Sequence, residues 1–197
     1  MLLRPIAAPA IFLALTSAAL AHTGHGDASG FAHGFMHPIG GLDHVLAMVA
    51  VGLYAAMIGG RALWLLPAAF LGAMALGGAL GAAGYALPYA EMGIAASIVM
   101  LGLAVALRIN LPVLAAMALA GIFAIFHGHA HGAEMPQDAV GYTYAPGFML
   151  ASALLHCTGI AVGVLMATLS DTGGRRATQV VGGAMTLAGI AILAGAL

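Results

Sequence analysis

Apolar and polar positions alternate along this chain in long blocks, not at short period. Six stretches, about 38–58, 63–83, 91–107, 111–128, 147–169 and 178–197, stay apolar over most of their length. Blocks of this kind predict helices that cross a membrane, which needs roughly 20 consecutive apolar residues. Gly59-Gly60-Arg61, residues 84–90, Arg108-Ile109-Asn110, residues 129–146 and residues 170–177 separate them. A shorter apolar block, Ala10 to Leu20, follows the basic Arg4 and precedes a small-x-small site at Ala19-Leu20-Ala21. Residues 1–21 therefore read as a cleaved secretory signal peptide, leaving His22 as the mature N-terminus. Residues 22–36 are polar, Gly-rich and His-rich, and read as a flexible exported tail. Residues 37–197 form the six-helix domain. No internal repeat stands out.

Composition agrees with a membrane class. The 197 residues are 63% hydrophobic and 6% charged, against about 25% charged in soluble domains. Mean hydropathy is +1.09. The expected fold is an all-α integral membrane protein, multi-pass, with six transmembrane helices. Every basic residue other than histidine is an arginine. Without lysine there is no Walker A loop, which needs Gly-Lys-Ser/Thr, and so no ATP hydrolysis by that route. Cys157 is the single cysteine, which excludes an intrachain disulfide and a Cys-rich metal cage. A net charge of −1 gives no reason to expect nucleic acid.

The arginines orient the bundle. With the mature N-terminus outside, the inner loops carry Arg61, Arg108, Arg175 and Arg176, in accord with the positive-inside rule. The outer loops carry Glu91, Glu134 and Asp138. Tyr85, Tyr89, Tyr142 and Tyr144 form an expected outer aromatic belt, and Trp64 an inner anchor. Six spans return the C-terminus to the outer, periplasmic side. Gly77-x-x-x-Gly81 and Gly159-x-x-x-Gly163 read as close-packing features between helices.

Against this background two short strings concentrate histidine and carboxylate. The first runs from His37 through Pro38 and Gly40-Gly41 to Asp43-His44. The second is Phe126-His127-Gly128-His129-Ala130-His131-Gly132-Ala133-Glu134. A charged group at membrane depth costs roughly 2.5–3.5 kcal/mol on insertion scales, and such groups mark function. Histidine with carboxylate is a ligand set for borderline divalent metals. The topology brings both strings to the same outer end of the bundle. His127, His131 and Glu134 share one stripe if the helix continues, although Gly128 and Gly132 can loosen that end. Pro38 and Gly40-Gly41 disfavour a regular helix, and broken segments of this kind build transporter sites. Asp43 and His44 point about 100° apart on a helix, so one can orient the other as ligand.

His156 falls about ten residues from the outer end of its span, near the midplane at ~1.5 Å per residue. It is a second candidate site or a step on a path, or else a hydrogen-bonded core histidine. Met48 and Cys157 read as core residues, and Glu91 as a partner for a helix dipole. His129 is either a ligand or a solvated side chain. His22, His25 and His33 form either a metal-collecting arm or a solvated tail.

At the two strings the chain resembles the HupE/UreJ family of nickel or cobalt permeases. The family pattern His-x5-Asp-His stands here as His37, Asp43 and His44. The pattern Phe-His-Gly-x-Ala-His-Gly-x-Glu stands at Phe126 to Glu134. The resemblance covers most of the mature chain, and the cleaved signal and the six spans also look like that family. It implies uptake of Ni²⁺ or Co²⁺ across the bacterial inner membrane, supplying hydrogenase or urease. It carries the metal role to His37, Asp43, His44, His127, His131 and Glu134. It assigns nothing to His22, His25, His33, His129 or His156.

The expectation is a secondary or passive permease, not an enzyme. The metal is its transported ion, the bilayer its surroundings, and the nickel-enzyme maturation pathway an indirect partner. No prosthetic group is expected. The alternative is an intramembrane zinc-dependent hydrolase, in which His and carboxylate hold zinc and one position stays open for water. On chemistry alone Ni²⁺, Co²⁺ and Zn²⁺ remain open.

Overall fold

The computed structural model of the chain describes residues 26–135, 140–168 and 171–197. The expected signal peptide, His22, His25 and Asp138 lie outside the described residues. Within them the chain is entirely helical, and no strand occurs. Seven helices follow in order: α1 Gly26–Gly40, α2 Leu42–Ile58, α3 Ala62–Ala82, α4 Ala90–Ala106, α5 Val113–Glu134, α6 Val140–Ala167 and α7 Asp171–Leu193.

Four of these, in α3, α5, α6 and α7, are long and apolar enough to cross a membrane, and α1 with α2 adds a fifth span if the bent pair counts as one. The 17-residue α4 is apolar but shorter. Tyr89 and Arg108 take left-handed backbone, at φ 62 and 53, on either side of α4. Residues with a Cβ seldom adopt that conformation, and here it turns the chain sharply at both ends of the helix. Large apolar side chains such as Trp64, Leu114, Leu165 and Leu187 point outward, as a lipid-facing surface requires.

One expectation changes. Residues 26–36, read as flexible tail, are the first turns of α1, which packs along α6. Their glycines permit it: a Cβ at Gly34 would overlap the Tyr144 carbonyl oxygen, and one at Gly147 would overlap that of Phe31. Docking, not intrinsic propensity, makes this segment helical. The expected irregularity at the start of the first span is a sharp break. Gly41 is extended (φ −96, ψ 121), and α1 and α2 meet there at 79°.

The core is built around α2, which touches each of the other six helices. Ala47, Met48, Ala50, Val51, Leu53 and Tyr54 are all buried, so α2 buries every face of its middle turns. The helices around it pair through small residues. On the α3–α5 seam a Cβ at Gly77, Gly81, Gly128 or Gly132 would overlap a backbone carbonyl oxygen of the facing helix. Gly52 on α2 and Gly159 on α6 meet in the same way. The expected packing role of Gly77, Gly81 and Gly159 is thus met, since small residues let backbones approach and gain dispersion contacts where hydrophobic driving force is weak.

Gly128→Val tests this seam. It should destabilise the detergent-solubilised protein by about 1–3 kcal/mol through overpacking, seen as a lower thermal-unfolding midpoint. Gly72→Ala, where an added Cβ meets nothing within 4 Å, should leave the midpoint unchanged or raise it.

Candidate metal centre

The N-terminal end of α2 and the C-terminal end of α5 meet at one end of the bundle. α5 continues unbroken to Glu134, so His127, His131 and Glu134 keep one stripe. Gly128 and Gly132 do not loosen it, because they face α3 across the seam just described. Residues 126–134 thus serve two faces, His127 and His131 toward α2 and Gly128 and Gly132 toward α3. The break at Gly41 separates His37, in the last turn of α1, from Asp43 and His44 in the first turn of α2. The bend swings His37 back over the site. Its ring centroid lies 4.6 Å from that of His131 and 6.5 Å from that of His44.

Ligand atoms of His37, His131 and Glu134 lie within 4.8 Å of one another. His44 stands beside them, its ring 4.3 Å from that of His131 and 5.1 Å from that of His127. These side chains, with Asp43 and Glu91, line an open cavity of about 360 Å³. That is room for a divalent ion with a full shell of waters at about 30 Å³ each. Burial deepens inward. Glu134 and Glu91 are exposed and His37 half-buried, whereas His44 and His131 are buried and His127 is completely inaccessible.

Hydrogen bonds decide which nitrogen of each ring is free. His44 Nδ1 lies 2.9 Å from Asp43 Oδ1. A carboxylate only accepts, so Nδ1 carries a proton, and in the neutral ring Nε2 holds the lone pair. His44 Nε2 faces His131 Nε2 directly. Two facing imidazole nitrogens satisfy each other only through a shared proton or a shared cation. Deeper, the Ser97 hydroxyl donates to the Ile94 carbonyl at 2.5 Å. Its oxygen then accepts from His127 Nε2–H at 3.0 Å, and His127 Nδ1 is left buried without a partner. The outcome is a set of imidazole nitrogens gathered beside the carboxyl groups of Asp43, Glu91 and Glu134. This donor chemistry suits a borderline divalent ion.

His37, Asp43, His44, His131 and Glu134 therefore come together, with His127 immediately below. His33 is exposed one turn before His37 on α1, its ring 6.2 Å away. His129 does not join the cluster and is not solvated. It is buried on another face of α5, and its Nε2–H donates to the Tyr85 carbonyl at 2.6 Å. His156 lies deeper, on α6, against Phe70. Cys157 is exposed and contributes nothing to the cavity.

Four further residues were not identified from the pattern as part of the site. Glu91 lines the cavity as well as occupying the first turn of α4; its place at an outer helix end was the available signal. Tyr144 is only 5% exposed, so it is no part of a lipid-facing belt. It packs against His33 and His37 at 5.7 and 5.9 Å. Ser97 and Phe70, which contact His127, carry no signal that distinguishes them from other helix residues.

The family model described as "HupE / UreJ protein" matches residues 10–192 of the chain. "Protein HupE" of Rhizobium leguminosarum bv. viciae is 46% identical to it over 184 residues, covering 93% of this chain and 94% of that relative. No solved structure matches.

Asp43→Ala removes the acceptor that orients His44. Divalent-metal affinity of the purified protein, read with Ni²⁺, should fall by about 10–100-fold, the usual effect of losing a ligand's partner. Equilibrium dialysis reads it. His129→Gln, away from the cavity, should leave that affinity unchanged.

Proposed function

The chain belongs to the HupE/UreJ family, and from that premise we propose that it is a permease taking up divalent nickel, or cobalt, across the bacterial inner membrane. On this reading it is not an enzyme, and the ion is its cargo. The observation that carries the reading is the meeting of His44 and His131 across α2 and α5, with His37 and Glu134 within ligand reach. The bent pair and α3 to α7 make six spans, with both termini of the mature chain outside and a signal peptide removed. The nickel taken up supplies enzymes such as hydrogenase or urease.

The mechanism follows from the donor set. A hydrated ion arrives at the open cavity, where Glu134 and Glu91 are exposed and attract it. His37, His131 and His44 Nε2 replace part of its water shell. Neutral imidazoles bind without adding charge, while the carboxylates balance the ion. The residues with metal roles are His37, Asp43, His44, His127, His131 and Glu134, Asp43 acting through His44. His33, and beyond the described residues His22 and His25, can raise the local metal concentration outside. An inside-negative potential favours inward movement of a dication by about 4.6 kcal/mol per 100 mV, so accumulation needs no ATP. The family membership favours transport over a zinc-dependent hydrolase.

The test is uptake of radioactive nickel at trace concentration by cells lacking other nickel transporters. Wild type should accumulate nickel, and His44→Ala and His131→Ala should both fall to the vector level at equal membrane expression. Uptake no higher than vector in wild type would sink the nickel reading. The same assay with cobalt and then zinc would follow.

A further inference from the structure

Below the outer cluster the bundle holds a second imidazole with no partner at all. His156 is 1% exposed, and neither Nδ1 nor Nε2 is hydrogen-bonded. The Ser152 hydroxyl, one turn earlier on the same face of α6, is fully buried and equally unpartnered. The His156 carbonyl abuts Gly52 of α2, ten residues past Leu42 and so about 15 Å deeper than the start of that helix. The Phe70 ring on α3 touches both His156 and His127, with centroids 5.2 and 5.6 Å apart respectively. His127 in turn holds a bare Nδ1. A continuous series of contacts therefore runs from the cavity through His44 and His127, past Phe70, to His156.

Leaving a buried polar group unsatisfied is costly, and native proteins keep few such groups without a reason such as a bound water or ion. Ser152 alone would hold a water. An imidazole beside it adds a nitrogen lone pair, which is the ligand type of borderline divalent ions. We infer that His156 and Ser152 form a second, deeper metal station, which receives a partly dehydrated divalent cation from His127 past the Phe70 ring. The remaining coordination positions are filled by waters that travel with the ion. This inference rests on the transport reading above and extends it to a two-station path.

Counting bound ions tests it. The full mature protein in detergent is dialysed to equilibrium against saturating Ni²⁺, and metal per chain is measured. His156→Leu should bind one ion fewer than wild type, with the affinity of the outer site unchanged. His156→Asn should do the same, because a carboxamide can hold a water but replaces imidazole poorly as a nickel ligand; it also serves where the Leu variant does not fold. Equal ion counts in wild type and in the folded His156 variants would overturn the inference and leave the outer site standing. Failure of the transport reading has a different signature: wild type would then take up no nickel above vector, whatever the ion count.

Discussion

A neutral imidazole has one N–H and one lone pair, and what touches the first decides where the second points. In this bundle that choice is made by fixed acceptors. Asp43 takes the proton side of His44, and Ser97, its own hydroxyl committed to the Ile94 carbonyl, takes that of His127. Each acceptor sits on a helix that cannot move without disturbing the core around α2. The free nitrogens thus have set directions before any ion arrives. Preorganisation of this kind lowers the ordering cost of binding, which on the proposed transport reading matters for an ion that must also leave.

The glycines make that rigidity possible. α5 presents histidines to α2 and glycines to α3 within a single stretch, because residues one apart on a helix face different neighbours. Were α3 held away by side chains at Gly128 and Gly132, α5 would be displaced toward α2 and His131 could not keep its position against His44. Packing and chemistry in this segment are therefore one constraint. The Phe-His-Gly-x-Ala-His-Gly-x-Glu pattern is as much a packing motif as a ligand motif.

Much of this arrangement was legible in the chain. The apolar blocks located the helices from α2 onward, and the arginine distribution put both His/Asp/Glu strings at one end, where the structure also brings them together. Gly40-Gly41 marked the break, whereas Pro38 lies inside α1. The helical nature of residues 26–36 was not legible, since a polar Gly-rich segment becomes helical here only by docking on α6. Glu91 was read for the dipole of its own helix, because its second neighbour is remote in sequence. His129 and His131 belong to the same string, yet two residues along a helix turn a side chain some 200° away. Only the position of the α3–α4 connection shows that His129 ends at Tyr85 and not at the cavity.

The length of α4 bears on where this site can work. Seventeen residues rise about 25 Å, short of the ~30 Å hydrocarbon thickness of a typical bilayer. The turns at Tyr89 and Arg108 prevent the helix from extending to make up the difference. With α4 as one of the six proposed spans, lipid beside it must instead compress, at a fraction of a kcal/mol per Å of mismatch. Because Glu91 lies in the first turn of α4, that compression draws the aqueous boundary down toward the mouth of the metal cavity. On the proposed transport reading, acyl-chain length in the host membrane becomes a variable of ion capture, acting through the thickness of the lipid and not through the side chains that line the cavity.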